Sequence, residues 1–324
     1  MAEPFISVVA PCYNEAAGLE QFHARVRAVL DELGKPAEIV LVDDGSSDAT
    51  WEVMTRLAGR DGQLRLVKLS RNHGHQLALS AGLSLVRGDR ILVIDADLQD
   101  PPEALPEMLE LMNARGADVV FGQRRHRNGE TAFKKTSASL FYRIINRLSD
   151  TDIPVDTGDF RLISRRALNV LNAMPERHRF IRGMVSWIGF TQVPYLYDRD
   201  PRFAGETKYP LSKMIRLATD AVTSFSTKPL RLAMILGFLM ALVGVGMLVY
   251  VLVSLLFWQV VSGWASLLAA IAILGSMQLF VLGVMGWYLG RLYEQSQGRP
   301  LFVIEEVRDA DTAAGSADAQ PDGE

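Results

Sequence analysis

Cysteine is almost missing from this sequence: Cys12 is the single one in 324 residues. That excludes an internal disulfide framework and any zinc cage built from cysteines. No G-x-G-x-x-G turn and no Walker lysine loop occurs, which disfavours a dinucleotide enzyme and a P-loop kinase. Basic residues are not in excess, since 34 Lys and Arg stand against 37 Asp and Glu for a formal net charge of −3. Such a balance gives no electrostatic footprint for nucleic acid. The opening run MAEPFISVVAP has no basic segment, and its apolar stretch is too short for a signal peptide. The first part of the chain is therefore expected to stay in the cytoplasm. One further absence is local. No Lys, Arg, Asp or Glu occurs between 232 and 290, whereas residues 1–231 carry most of the charge. A charged domain followed by two long apolar runs excludes a purely soluble protein and predicts attachment to a membrane.

The first 122 residues alternate between two periodicities. Apolar, β-branched runs at 5–11 (ended by Pro11), 37–43, 64–69, 90–95 and 117–122 read as strands. Between them lie helical patterns at 15–33, about 75–86 and 102–114. The first places Leu19, Phe22, Val26, Val29, Leu30 and Leu33 on one face. A further helix after the turn 44–48 carries Trp51, Met54 and Leu57 inward, with Ser46 and Asp48 as its expected N-terminal caps. This α/β alternation with near-continuous apolar strands predicts a Rossmann-like, mostly parallel sheet covered on both faces. Ligands of such sheets bind beyond the carboxyl ends of the strands. The polar residues after each strand should thus converge on one crevice. From 123 to 165 the pattern loosens, with a basic stretch QRRHRNGE and a helix near 134–149.

The expected organisation is a catalytic domain over 1–201, an amphipathic basic segment over 202–231, two spans within 232–291, a strand-like stretch within 292–307 and a disordered acidic tail over 308–324. The spans, about 232–258 and 264–290, each exceed the roughly 20 residues that cross a bilayer. Lys228 and Arg231 precede the first, Arg291 and Arg299 follow the second, and the linker 259–263 has no basic residue. The positive-inside rule then puts both ends of the hairpin in the cytoplasm. The segment 202–231 reads as lying among lipid headgroups.

The chemistry concentrates in DADLQDPPE at 95–103. Asp95 ends a strand, and Asp97, two residues on, can present its carboxylate in the same direction, with Gln99 adding a neutral oxygen. Hard divalent cations such as Mg²⁺ or Mn²⁺ prefer such oxygens and clamp diphosphates. Asp43 and Asp44 occupy the equivalent place after the second strand, where a carboxylate can accept from a base or from ribose hydroxyls. His73 and His75 suit a polar loop better than a metal pair.

Taken together, PCYNE at 11–15, VDDGSSD at 42–48, SRNHG at 70–74, DADLQDPPE at 95–103 and TGDFRL at 157–162 resemble a family-2 glycosyltransferase. More narrowly, the chain resembles the polyprenyl-phosphate glycosyltransferases, the dolichyl-phosphate mannose synthases and bactoprenol glucosyltransferases. The resemblance implies an A-type glycosyltransferase fold, a UDP- or GDP-sugar donor, an isoprenoid phosphate acceptor and a place in the inner membrane. It implies that Pro11, Tyr13, Glu15, Asp43, Asp44, Arg71 and Gly74 surround the nucleotide. Asp95, Asp97 and Gln99 match the metal and diphosphate site, and Arg124 matches an arginine near the acceptor phosphate. Arg125, Lys134 and Lys135 stand close to it in sequence. Asp159 and Asp156 fall where relatives place acceptor-side residues and are the candidate bases. Neither His73 nor Cys12 is expected to be catalytic.

UDP-glucose or a similar hexose donor is expected, because the bacterial branch fits better. Two other readings compete. A processive polysaccharide synthase would carry a Q-x-x-R-W motif and more spans, and Trp187 does not stand next to Arg182 as that motif demands. A non-catalytic membrane scaffold would use Ser276, Gln278 and the small Gly237, Gly244 and Gly246 for helix contacts. Homo-oligomerisation through the spans or through 300–307 is compatible with either.

Overall fold

A computed structural model describes residues 4–125, 157–198, 228–257 and 263–309. They fall into two units, one of 4–125, 157–198 and 300–309, the other of 228–257 and 263–299. The helix expected near 134–149, Asp156, Lys134, Lys135, nearly all of 202–231 and the tail from 310 lie outside the described residues.

The first unit is an eight-stranded mixed sheet. Its strands are β1 (Ile6–Cys12), β2 (Ala37–Asp43), β3 (Leu64–Leu69), β4 (Arg90–Val93), β5 (Val119–Arg124), β6 (Thr157–Ser164), β7 (Gln192–Tyr197) and β8 (Ile304–Arg308), in the order β7-β5-β6-β4-β1-β2-β3-β8. Only β6 and β8 run against the common direction. The helices are α1 (Leu19–Leu33), α2 (Thr50–Ala58), α3 (His75–Leu85), α4 (Leu105–Arg115), α5 (Arg165–Ala173) and α6 (Ile181–Ile188). β1, β2 and β6 are buried along their whole length, and in β1 and β2 this is why the sequence reads as a near-continuous apolar run rather than an alternating one. The core joins these strands to the inward face of α1, with Leu19, Phe22, Val26, Val29 and Leu30 all buried.

Four details differ from the sequence reading. β1 runs on through Pro11 to Cys12, while its pairing with β4 ends at Val9 and Val93. Ile94 N–H donates to Val9 C=O, so Val9 faces β4, and Pro11, two residues on, faces the side that β4 has left. A residue with no N–H fits there because no partner waits for it. β4 itself stops two residues before Asp95, so the acidic loop begins outside the ladder. The stretch 157–164 is not loose but a central strand, antiparallel to both β4 and β5. At the chain's end, 300–307 does contain a strand, but one confined to Ile304–Arg308, paired antiparallel with β3 and pinned by Lys68–Glu305 (2.9 Å) and Arg65–Asp309.

The second unit holds α7 (Lys228–Phe257) and α8 (Trp264–Ser296), packed on each other. α8 continues six residues beyond the expected limit of 290, so that 292–296 is helix rather than strand-like. Windows of 21 and 24 residues in the two helices have mean hydropathy 2.6 and 1.5 and are long enough to cross a membrane. Phe238, Leu248 and Tyr250 keep 64%, 60% and 64% of their surface exposed, which excludes a buried core helix.

One glycine fixes how the loops meet. Gly45, after β2, has φ +67°, and a Cβ there would lie 2.6 Å from the backbone of Arg71 and Asn72. Gly45→Ala is expected to cost about 1–3 kcal/mol for the left-handed backbone alone. The overlap with the 71–72 backbone adds to that cost. A melting midpoint equal to wild type would show that the loops are not packed this way.

Candidate active site

β4 and β1 separate at their carboxyl ends, and strand order reverses there, with β2 and β3 on one side and β4 onward on the other. Such a switch point opens a crevice at the strand ends. The loops after β1, β2, β3 and β4 line it. Because β6 runs antiparallel, its first residues, Thr157–Asp159, reach the same rim.

Hydrogen bonds between loops hold the nucleotide-side residues. Asn14, at φ 57°, accepts from Ser47 N–H (2.9 Å), and Asn14 N–H donates to Ser46 Oγ (3.1 Å). Ser46 is thus occupied by the neighbouring loop and does not cap α2. Asp48 does receive Thr50 N–H (3.0 Å) at that helix's start. Glu15 N–H donates to Thr50 Oγ1 (2.9 Å), while Tyr13 stays 47% exposed at the mouth and Pro11 is buried behind it. Asp43 Oδ1 accepts from Ser46 N–H (3.2 Å). Both oxygens of the buried Asp44 are engaged, by His73 N–H (2.7 Å) and Gly74 N–H (3.0 Å), so this carboxylate fastens the β3–α3 loop to β2. Burial raises its pKa, and those two amides pull it back. Arg71 is exposed on that loop. Cys12 is buried and its thiol is pushed well up, first by burial and then by the charges of Glu15, Asp43 and Asp95. It is a packing residue.

In the acidic loop, exposure alternates residue by residue. Ala96, Leu98 and Asp100 are buried, whereas Asp95, Asp97 and Gln99 are half-buried on the other side. Leu98 adopts φ 63°, an unfavourable setting for a branched side chain, while its side chain enters the core. Asp97 Oδ1 accepts from Gln99 N–H (3.1 Å) and closes the turn. Backbone strain of this kind gathers where a site needs it.

Opposite the loop stands Asp159, 9% exposed. Its Oδ2 accepts from Gln76 Nε2 (2.8 Å) and lies 3.3 Å from His75 Nε2, which is itself 3.4 Å from Asp95 Oδ1. Asp159 Oδ1 lies 3.7 Å from both Arg161 Nη2 and Arg182 Nη2. Burial alone would raise this carboxyl, but the His75 hydrogen bond and the two guanidinium groups hold it far below the usual carboxylate range. Burial pulls His75 down, and its hydrogen bond to Asp159 together with the charges of Asp95 and Asp159 outweighs that and carries it up to about 9. Asp95 is pushed up to about 6, chiefly by burial, with His75 opposing and Asp159, Asp100 and Asp97 adding repulsion.

The fit to a divalent ion can be judged from this arrangement. Asp95 Oδ1 is buried and, among the described residues, has no hydrogen-bond donor, and it lies beside three other carboxylates. Such an excess of negative oxygen suits a hard cation. Among the described residues no three His, Cys, Asp or Glu side chains form a ready cage. Asp95, Asp97 and Gln99 would therefore hold such an ion together with a substrate's phosphates, the usual arrangement for Mg²⁺.

On the far side of β6, Arg124 ends β5, and a Cβ on Gly158 would lie 3.4 Å from its Nη2. Tyr197 links this arginine to the acidic loop by donating to the buried Asp100 Oδ1 (2.6 Å). Burial and then Asp100 raise the Tyr197 phenol, and Arg124 opposes them. Arg125 is exposed at the end of the described segment.

Residues 7–171 match the family described as glycosyl transferase family 2. The chain belongs to that family. The glycosyltransferase YkcC of Bacillus subtilis is 42% identical over 93% of this chain and 93% of its own. The prophage bactoprenol glucosyl transferase homolog of Escherichia coli is 38% identical over 94% of this chain and 99% of its own. Bactoprenol glucosyl transferase of Shigella phage SfV matches to the same extent. Among solved structures, mannosyl-3-phosphoglycerate synthase of Rubrobacter xylanophilus aligns with TM-score 0.47 and 21% identity, covering 68% of this chain and 73% of that one. Glucosyl-3-phosphoglycerate synthase of Mycobacterium tuberculosis, in complex with Mn²⁺, UDP-glucose and phosphoglyceric acid, aligns with TM-score 0.45 and 20% identity, covering 68% and 79%.

This family-2 glycosyltransferase thus has the expected A-type, mostly parallel sheet. The structure gathers Pro11, Tyr13, Glu15, Asp43, Asp44, Gly74, Asp95, Asp97, Gln99 and Asp159 around one rim. Sequence reasoning passed over Gln76 and Arg161, assigned His75 to a polar loop, and weighed Arg182 only against the Q-x-x-R-W motif. His75 is the first residue of α3 rather than part of a loop, and it pairs with carboxylates, not with His73. A signal for Arg161 was present, since a strand carries residues i and i+2 on one face. Arg182 lies far from the motifs in sequence and gave none. From the thiol's burial, Cys12 is expected to resist iodoacetamide in native protein at about pH 8 and to react on unfolding. Rapid native labelling of this single cysteine would contradict the packing described.

Proposed function

We propose that this enzyme transfers a hexose, with inversion, from a nucleotide sugar to a polyprenyl phosphate at the cytoplasmic face of the inner membrane. UDP-glucose or a close relative is the donor. The observation that carries this reading is the 38% identity to bactoprenol glucosyl transferases across nearly the whole chain, the two apolar helices included.

The site's chemistry supports it. A phosphate monoester has a second pKa near 6, so at neutral pH the acceptor is already largely a dianion and needs little help from a base. Asp159, held ionised by Arg161, Arg182 and His75, is a poor proton acceptor and agrees with that economy. A phosphate oxygen attacks the anomeric carbon, the bond from that carbon to the nucleoside diphosphate breaks, and configuration inverts. No enzyme nucleophile is required. Asp95, Asp97 and Gln99 would hold a divalent ion, Mg²⁺ or Mn²⁺, which would supply Lewis-acid relief of the charge on the departing diphosphate. Arg124 binds the acceptor phosphate through its planar fork, with Arg125, Lys134 and Lys135 as neighbours that lower the repulsion between two anionic substrates. Asp43 and Glu15 contact the nucleoside, and Asp44 acts by keeping its loop in place.

We further place residues 1–201 in the cytoplasm, with 202–231 at the headgroup layer and α7 and α8 as a hairpin in the bilayer. Lys228, Arg231, Arg291 and Arg299 favour that orientation. A lipid acceptor then meets the cleft without leaving its bilayer.

Purified enzyme with polyprenyl phosphate and labelled UDP-glucose is expected to form glycolipid, and EDTA is expected to stop it. Asp97→Ala should lower kcat by at least about a hundredfold with the melting midpoint held, because Asp97 is an ion ligand. Full activity in the variant, or in metal-free buffer, would remove the metal assignment. Arg124→Ala is expected to raise KM for the lipid phosphate about tenfold or more while donor KM moves little, as a lost charged hydrogen bond implies. Unchanged acceptor kinetics would refute its role.

A further inference from the structure

Gln76, the second residue of α3, contacts neither donor nor acceptor in the reading above, yet its side chain is bonded at both ends. Nε2 donates to Asp159 Oδ2 at 2.8 Å, and Oε1 accepts from the backbone N–H of Ile181 at 2.9 Å. Only one setting of the amide satisfies both. Reversed, it would turn its oxygen on a carboxylate and its NH₂ on an N–H. Ile181 opens α6, and the next residue is Arg182, whose Nη2 lies 3.7 Å from the other oxygen of the same carboxylate. One amide therefore spans from β6 to the first turn of α6. Asp159 Oδ1, buried and without a hydrogen-bond donor among the described residues, lies beside Arg161 and Arg182.

We infer that Gln76 is a positioning residue for glycosyl transfer: its amide stops the Asp159 carboxylate from rotating and sets the spacing between that carboxylate and Arg182. The inference rests on the transfer reading only in naming the reaction. The geometry it claims is independent of it. Among the described residues, Ser7, Glu38 and Gly88 interlock at the opposite end of the strands, and Arg179 binds the carbonyls of Leu171 and Met174; neither of these contacts involves the Asp159 carboxylate.

Gln76→Glu in the full-length enzyme separates positioning from simple helix capping. In its ionised form glutamate matches the length and still accepts from Ile181 N–H, but it cannot donate to Asp159 and sets a second carboxylate against it. The expected result is a fall in kcat for transfer to polyprenyl phosphate on the order of tenfold to a hundredfold, as for loss of a hydrogen bond to a charged group. Donor KM and a cooperative melting transition should be retained. In an Asp159→Asn background the asparagine amide can donate to the introduced carboxylate, so the same change should alter kcat by no more than about twofold. Wild-type kcat in Gln76→Glu, or an equal loss in both backgrounds, would overturn the inference. Should Gln76→Glu fail to fold, Gln76→Met removes the donor without adding charge and is judged by the same comparison. If the wild-type enzyme transfers no sugar to the lipid, it is the transfer reading that fails. A crystal structure of the Gln76 variant then decides: a carboxylate of Asp159 turned from its wild-type setting supports the inference, and an unmoved one overturns it.

Discussion

Four carboxylates, Asp95, Asp97, Asp100 and Asp159, crowd one rim of the sheet, and the surrounding structure is organised by the need to keep them there. Repulsion among them is offset by His75, Arg161 and Arg182, which come from α3, β6 and α6. Asp159 is beside Asp95 only because β6 enters the parallel sheet in reverse, next to β4, and so delivers its first residues where its neighbours deliver their last. The imbalance that survives falls on Asp95, the carboxylate best placed to take a cation. A site with excess negative oxygen and a rigid frame is prepared for a substrate that brings its own phosphates and metal.

Much of this architecture is legible from residue patterns. The strands 37–43 and 64–69 coincide with β2 and β3, and the inward face of α1 is the one its periodicity demands. Continuous burial gives a run of apolar residues that no alternative element explains. The part that stayed hidden has a physical reason. TGDFRLIS mixes charged with apolar residues, and its charges are tolerated in the interior because Arg161 bonds the carbonyls of Gly158 and Asp159 and lies near the Asp159 carboxylate. Pattern alone discounts such a strand. Gln76 was invisible for another reason, since its partners Asp159 and Ile181 are about eighty to a hundred residues away and only the reversed strand joins them, while Arg182 falls in no motif although it meets Asp159.

Turn chemistry was read correctly in type and less well in detail. Ser46 has the composition of a cap but is drawn to Asn14 in the next loop, because the β1 and β2 turns share one surface and satisfy each other. Asp44 shows the same economy, a carboxylate whose two oxygens close a neighbouring loop. The nucleotide side of the cleft is thus a set of mutually bonded turns, and the acidic side is a strained loop pinned through Leu98 and Tyr197.

β8 lies beyond α8 in the chain, yet it forms the outer edge of the sheet that begins at residue 6. The globular unit is therefore discontinuous, interrupted by both apolar helices. During synthesis the outer edge of β3 stays open until residues 304–308 leave the ribosome, after both helices have been made. An exposed strand edge invites pairing with other chains, so the sheet is closed only after both apolar helices have been synthesised. Truncation just after α8 would yield a protein with its strand-end loops present and its sheet unsealed.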